Sequence, residues 1–152
     1  MSVFTDNNKW YQFLTILNSW LGTPYGHFQY KKGKGADCGL FIAACLKEFG
    51  VLKRITYEYA PRFWHMIGQT EVIIEHIIKY INENFIEGYT LQKVNQLQRG
   101  DIITFRWTGK LSNHIGLYLG NKVMINSMNG RGVCIKEVYN SRITNIYRLV
   151  KT

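Results

Sequence analysis

The stretch from Asp37 to Phe49, DCGLFIAACLKEF, is apolar on nearly every side when wound as a helix, and Gly50 stops it. A helix without a polar face has to be enclosed, so it belongs at the centre of the molecule with other elements packed around it. Upstream, Trp10, Phe13, Leu14, Leu17 and Leu21 recur at helical spacing, with Thr5 or Asp6 placed to cap that helix and Gly22 to end it. Downstream, Val72, Ile73, His76, Ile77, Tyr80 and Ile81 repeat at helical spacing with Glu71, Glu75 and Lys79 opposite. This predicts one amphipathic helix within residues 51–100, which are otherwise weakly patterned. From Gln98 the texture changes to short β-type runs, DIITFRW, HIGLYLG, KVMINSM, GVCIKEV and TNIYRLV, separated by Gly and Asn turns. Helices first and strands afterwards predict an α+β fold, N-terminal helices packed on a C-terminal antiparallel sheet. At 152 residues and 46% hydrophobic, the chain suits one domain, residues 1–152, with one core.

Cys38 stands where the basic, glycine-rich loop HFQYKKGKGAD turns into the central helix. A helix start offers unpaired N–H groups and the positive end of the dipole, both favouring thiolate over thiol. A thiolate nucleophile needs a base, and the base needs a third group to hold its tautomer and orientation. The alternation in HIGLYLGNKVMINSM supplies both. Ile115, Leu117, Leu119, Val123 and Ile125 share one parity, so their apolar faces coincide in a hairpin only if the loop holds an odd number of residues, for example Gly120, Asn121 and Lys122. With that loop Leu119 pairs Val123, Gly116 opposes Asn126, and His114 lies one diagonal step from the asparagine amide on the opposite face. A two-residue loop would separate the two. Cys38 as nucleophile, His114 as base and Asn126 as orienting group make acyl transfer, most simply amide hydrolysis. The Cys38 N–H and the Tyr25 hydroxyl are candidate donors to the oxyanion.

These segments resemble the NlpC/P60 superfamily of papain-like cysteine peptidases, many of which cut peptidoglycan stem peptides. The resemblance runs through GTPYG (22–26), DCGLFIAACLKEFG (37–50), RGDIITF (99–105) and HIGLYLGNKVMINS (114–127). It implies a papain-like fold, with Cys38, His114 and Asn126 as the catalytic residues and Tyr25 as an active-site tyrosine. The chain looks particularly like compact members encoded near phage tail genes. It departs from the family in carrying Gly39 directly after the nucleophile, where serine associated with gripping the stem peptide is common, and Asn126 where histidine is frequent. Asp37 precedes the nucleophile in the family too, and either contacts substrate or caps the helix; with Tyr25 and Gly39 it completes the expected oxyanion and substrate-binding set. Residues 57–95 are longer than the family's usual connection. They read as an enlarged helical insertion that roofs or narrows the cleft.

A net charge of +9 suits an anionic partner such as a cell-wall polymer. The expected partner is therefore peptidoglycan or another peptide or amide substrate, with phage tail components as further candidates. Scattered Tyr57, Tyr59, Trp64 and Trp107 give no periodic stacking platform, so nucleic acid is disfavoured. Cys38, Cys45 and Cys134 form no CxxC pair, and His27, His65 and His76 have no ligand spacing, so neither a metal nor another cofactor is expected. Cys45 and Cys134 read as core residues. The first twenty residues lack the pattern of a secretion signal and no run reaches membrane-spanning length, which predicts a protein cytoplasmic as made, then virion-associated or delivered to the wall. Two other functions use the same residues: a catalytically inactive tail or wall-binding module, and a thiol-dependent acyltransferase on a non-wall substrate.

Overall fold

The computed structural model describes residues 2–55, 70–106 and 114–152. A short 3-10 turn, Val3–Thr5, leads into α1, Asn7–Ser19, whose first turn is capped by the Asp6 carboxylate accepting the Lys9 N–H at 3.0 Å. A two-stranded ribbon follows, β1 (Tyr30–Lys31) against β2 (Gly35–Ala36), and then α2, Cys38–Phe49. Asp37 caps α2, and Gly50 ends it at φ 99°, a conformation glycine adopts without a Cβ penalty. The amphipathic segment forms α3, Thr70–Glu83. Six strands complete the chain: β3 (Tyr89–Val94), β4 (Ile102–Phe105), β5 (His114–Gly120), β6 (Val123–Met128), β7 (Gly132–Glu137) and β8 (Ile143–Lys151). They form one sheet in the order β3-β8-β4-β5-β6-β7, every neighbour antiparallel.

The all-apolar helix is enclosed as its sequence requires. Phe41, Ile42, Cys45 and Leu46 of α2 lie buried with Phe13 and Leu17 of α1 and with Ile102, Ile115, Leu117, Ile125 and Leu149 of the sheet. The opposite face carries a smaller cluster of Ile103, Phe105, Met124 and Val138. Odd-numbered positions of β5 and β6 thus face α2, which sends His114 and Asn126 to the other parity.

The hairpin joining β5 to β6 corrects the loop expected for it. Its turn holds two residues, Asn121 (φ 52°) and Lys122 (φ 63°), both positive as a type I′ turn demands. A bulge restores the parity: the register passes from Leu117↔Ile125 and Tyr118↔Met124 to Gly120↔Val123, with Gly120 at φ 93°. One bulged residue plus two turn residues does the work of a three-residue loop, so His114 and Asn126 stay on one face.

β3 is a second difference. Residues 89–94 read as part of a helical insertion, but they pair with β8 from Tyr89↔Lys151 to Val94↔Ile146 as the border strand of the sheet. Their alternation is weak because they stay half exposed, and their partner lies about sixty residues away in sequence. The outer edge of β3 is engaged by α3, whose Asn82 Oδ1 accepts the Leu91 N–H at 2.9 Å and the Thr90 hydroxyl at 3.0 Å. Residues 56–69, where Tyr57, Tyr59, Trp64 and His65 fall, and 107–113, with Trp107, lie outside the described residues, so the roof expected over the cleft is not addressed there.

The Arg99, Gly100, Asp101 triplet is a turn entering β4, with Gly100 at φ 88°. The buried Asp101 carboxylate accepts the Gln98 N–H at 2.7 Å and two bonds from Arg148 of β8, at 2.9 and 2.8 Å. Among the described residues no helix is long and apolar enough to cross a membrane.

Candidate active site

The loop before α2 is held at both ends by backbone. Gly22 N–H donates to the Val133 carbonyl on the outer edge of β7 (3.0 Å) and Val133 N–H returns to the Thr23 carbonyl (2.8 Å). Gly132 permits this approach, because at φ 73° it has no side chain and a Cβ there would overlap the Thr23 carbonyl oxygen. Ala36 N–H then donates to the Pro24 carbonyl (3.0 Å), and Tyr25 bridges Ala36. From β6, the buried Ser127 hydroxyl donates to the Ala36 carbonyl at 2.6 Å. The residue ahead of Asp37 and Cys38 is thereby tied to the strand that carries Asn126.

Cys38, half-buried, is the first residue of α2. The β5–β6 pairs begin at Leu117↔Ile125, and nearer the strand start the Ile115 N–H turns to the Cys38 sulfur. The N–H of the residue that follows His114 thus acts on the nucleophile. Burial, with the adjacent Asp37 charge adding to it, pushes the thiol up to about 12, against the pull of the Ile115 and Gly39 N–H groups. The helix start acts in the direction the sequence suggests, and burial outweighs it. Burial therefore favours the thiol over the thiolate at Cys38.

His114 and Asn126 meet as the parity of their strands requires. His114 Nε2 lies 2.6 Å from Asn126 Oδ1, and both side chains are buried. The Asn126 amide nitrogen donates to the Cys134 carbonyl at 3.1 Å across the Asn126↔Cys134 pair, which fixes which end of the amide is oxygen. Nε2 must then carry the proton it donates, leaving Nδ1 as the basic nitrogen. Burial, offset in part by the Asn126 bond and reinforced by the Lys136 charge, holds the imidazole down to about 4. Beside the pair, Gly116 leaves room for the Met124 side chain: a Cβ there would stand 2.7 Å from the Met124 sulfur.

Burial above all, with neighbouring Cys38 and Asp37 adding to it, raises the Tyr25 phenol, so its hydroxyl remains a donor. The hydroxyl lies 3.4 Å from His27 Nδ1. Asp37 is occupied as a cap, one oxygen accepting the Leu40 N–H at 2.8 Å and the other the Phe28 N–H at 2.9 Å; burial lifts its carboxyl to about 6 despite these bonds. Gly39 is buried with its Cα turned to Ile77 of α3.

The sequence reading missed two contributors. Cys134, expected in the core, is half exposed on the Asn126 face, its sulfur 3.8 Å from the amide nitrogen. Alternation reveals it: Val133 and Ile135 share the odd parity, so Cys134 falls on the even side with Asn126. His27 joins through its contact with Tyr25, and no pattern in the sequence marks it. Among the described residues no three His, Cys, Asp or Glu side chains gather as a metal site would require.

A central helix that opens on a cysteine, packed on an antiparallel sheet that carries a bonded histidine–asparagine pair, defines a papain-like α+β domain. The chain belongs to the NlpC/P60 family, whose model matches residues 22–152. It is 28% identical over 126 residues to the probable endopeptidase NlpC homolog of Haemophilus influenzae, an alignment covering 82% of this chain and 52% of that protein. The chain thus spans about half the length of this curated relative. Among solved structures it is similar to NlpC2 of Trichomonas vaginalis, with TM-score 0.63, 18% identity and coverage of 94% of this chain and 48% of the other. It is also similar to the peptidoglycan hydrolase RipB of Mycobacterium tuberculosis, with TM-score 0.60, 17% identity and coverage of 97% and 67%.

Proposed function

We propose that this chain is a cysteine peptidase or amidase that hydrolyses an amide bond in peptidoglycan stem peptides. The observation that carries the reading is the His114–Asn126 bond at 2.6 Å, with the asparagine amide anchored so that Nδ1 is left as base. Family membership, a relative named as an endopeptidase, a fold neighbour described as a peptidoglycan hydrolase, and a net charge of +9 suited to an anionic wall support it.

The resting pair is neutral, so thiolate forms as the substrate is attacked. The Cys38 proton passes to His114 Nδ1 while the sulfur bonds the carbonyl carbon, and the Cys38 N–H and Tyr25 hydroxyl hold the oxyanion. The carbon–nitrogen bond breaks as His114 returns its proton to the leaving amine. Water, deprotonated by His114, then cleaves the thioester and regenerates the thiol. Asn126 keeps the imidazole in one tautomer throughout.

Digestion of purified peptidoglycan, with mass analysis of released fragments, tests this. Wild type releases stem-peptide fragments, and Cys38→Ser releases none. Release by both proteins, or by neither across walls of different peptide composition, would sink the proposal.

A further inference from the structure

We propose that Ile77 of α3 is a positioning residue for the nucleophile, acting through the absent side chain of Gly39; this rests on the hydrolase reading above. A Cβ built at Gly39 would lie 2.6 Å from Ile77 Cδ1 and 2.8 Å from Ile77 Cγ2, closer than carbon atoms approach. The second of these atoms is attached to Cβ and does not swing away as the end of a long chain would. Ile77 is 6% exposed and packs in the main core, to which Cys38 is also joined. The isoleucine therefore fills the place where a side chain following the nucleophile would stand.

The contact bears on the chemistry because the Gly39 N–H is one of the groups directed at the Cys38 sulfur and the Asp37 carboxylate. Glycine is the residue least able to hold its own backbone angles in a first helical turn. Seated under Ile77, that turn is held from outside. The sulfur, its N–H partners and the cap are then fixed together, a geometry in which small displacements are costly to rate.

The test is a double-mutant cycle at positions 39 and 77, read in turnover and in alkylation of Cys38 by iodoacetamide, the latter mapped by mass to separate Cys45 and Cys134. Gly39→Ala is expected to lower kcat roughly ten- to hundredfold with KM nearly unchanged, as a misplaced nucleophile does. Ile77→Ala lowers kcat as well. The double variant, in which the new methyl occupies the vacated space, recovers most of the loss, making the two changes non-additive by roughly fivefold or more. The alkylation rate follows the same pattern. Ile77→Val keeps the helix face apolar and gives a milder loss, which guards against an alanine variant that merely unfolds.

Wild-type kcat in Gly39→Ala, or purely additive losses in both readouts, would overturn the proposal. Coupled alkylation rates with no turnover by wild type would leave the positioning role standing and remove the hydrolase reading instead.

Discussion

His114 carries a pH signature that one substitution can isolate. Its folded value, about 4, lies below the ordinary 6.5, so between these limits the unfolded chain binds the proton that the native imidazole refuses. The stabilisation it carries is therefore complete above pH 6.5 and is lost as pH falls through about 4. Asp37 acts with the opposite sign, since a carboxyl lifted from 3.8 to about 6 favours the fold as pH drops through that window. The bare acid response of the protein mixes the two, and a comparison with His114→Gln isolates the histidine. Relative to that variant, wild type should lose stability on acidification from pH 6.5 to 4 by an amount on the order of 3 kcal/mol, measured by urea unfolding at each pH. A constant difference across the range would contradict a buried neutral imidazole. Residue identity and parity sufficed to pair His114 with Asn126, because strand alternation is local information. The raised thiol of Cys38 was not legible, because a helix start is local information whereas burial is set by how the whole core packs.

At the scale of elements, capping and turn chemistry did most to reveal the fold. Asp6 and Asp37 begin α1 and α2, Gly50 ends α2, and the β4 to β8 runs fall where apolar alternation places them. The β5–β6 hairpin shows the limit of that reading. Parity counts how many residues separate two strands, and it does not say whether the odd one sits in the turn or in a bulge. Lys122 holds φ 63° in a turn whose preferred pair is Asn-Gly, a conformation that strains an L-residue. Lys122→Gly should therefore raise stability by about 0.5–1 kcal/mol, read as a higher urea midpoint with unchanged slope. A lower midpoint would show that the lysine side chain or the Tyr118 contact to its N–H outweighs the strain. β3 escaped notice for a related reason: its register is set by β8 across a long loop of chain, and no local pattern encodes that pairing.

Taken whole, the molecule hangs two layers on α2, with β8 tied to the turn before β4 by Arg148 and Asp101. Their pair is buried on the Asp101 side, whose side chain is 1% exposed, whereas Lys79 and Glu83 on α3 form an exposed pair at 3.9 Å. Removing one partner of a buried pair strands the other, so Arg148→Ala should cost about 3 kcal/mol. Lys79→Ala should change stability by less than about 0.5 kcal/mol, both measured by urea unfolding. Equal effects would mean that Asp101 finds water when its arginine is gone. The borders of the sheet carry a last consequence. Asn82 occupies the Leu91 amide on β3, and residues 22–23 engage both backbone groups of Val133 on β7. A strand from a second copy laid along either rim would meet groups already spoken for, so these contacts guard against edge-to-edge aggregation while the same loop delivers Tyr25 to the sulfur.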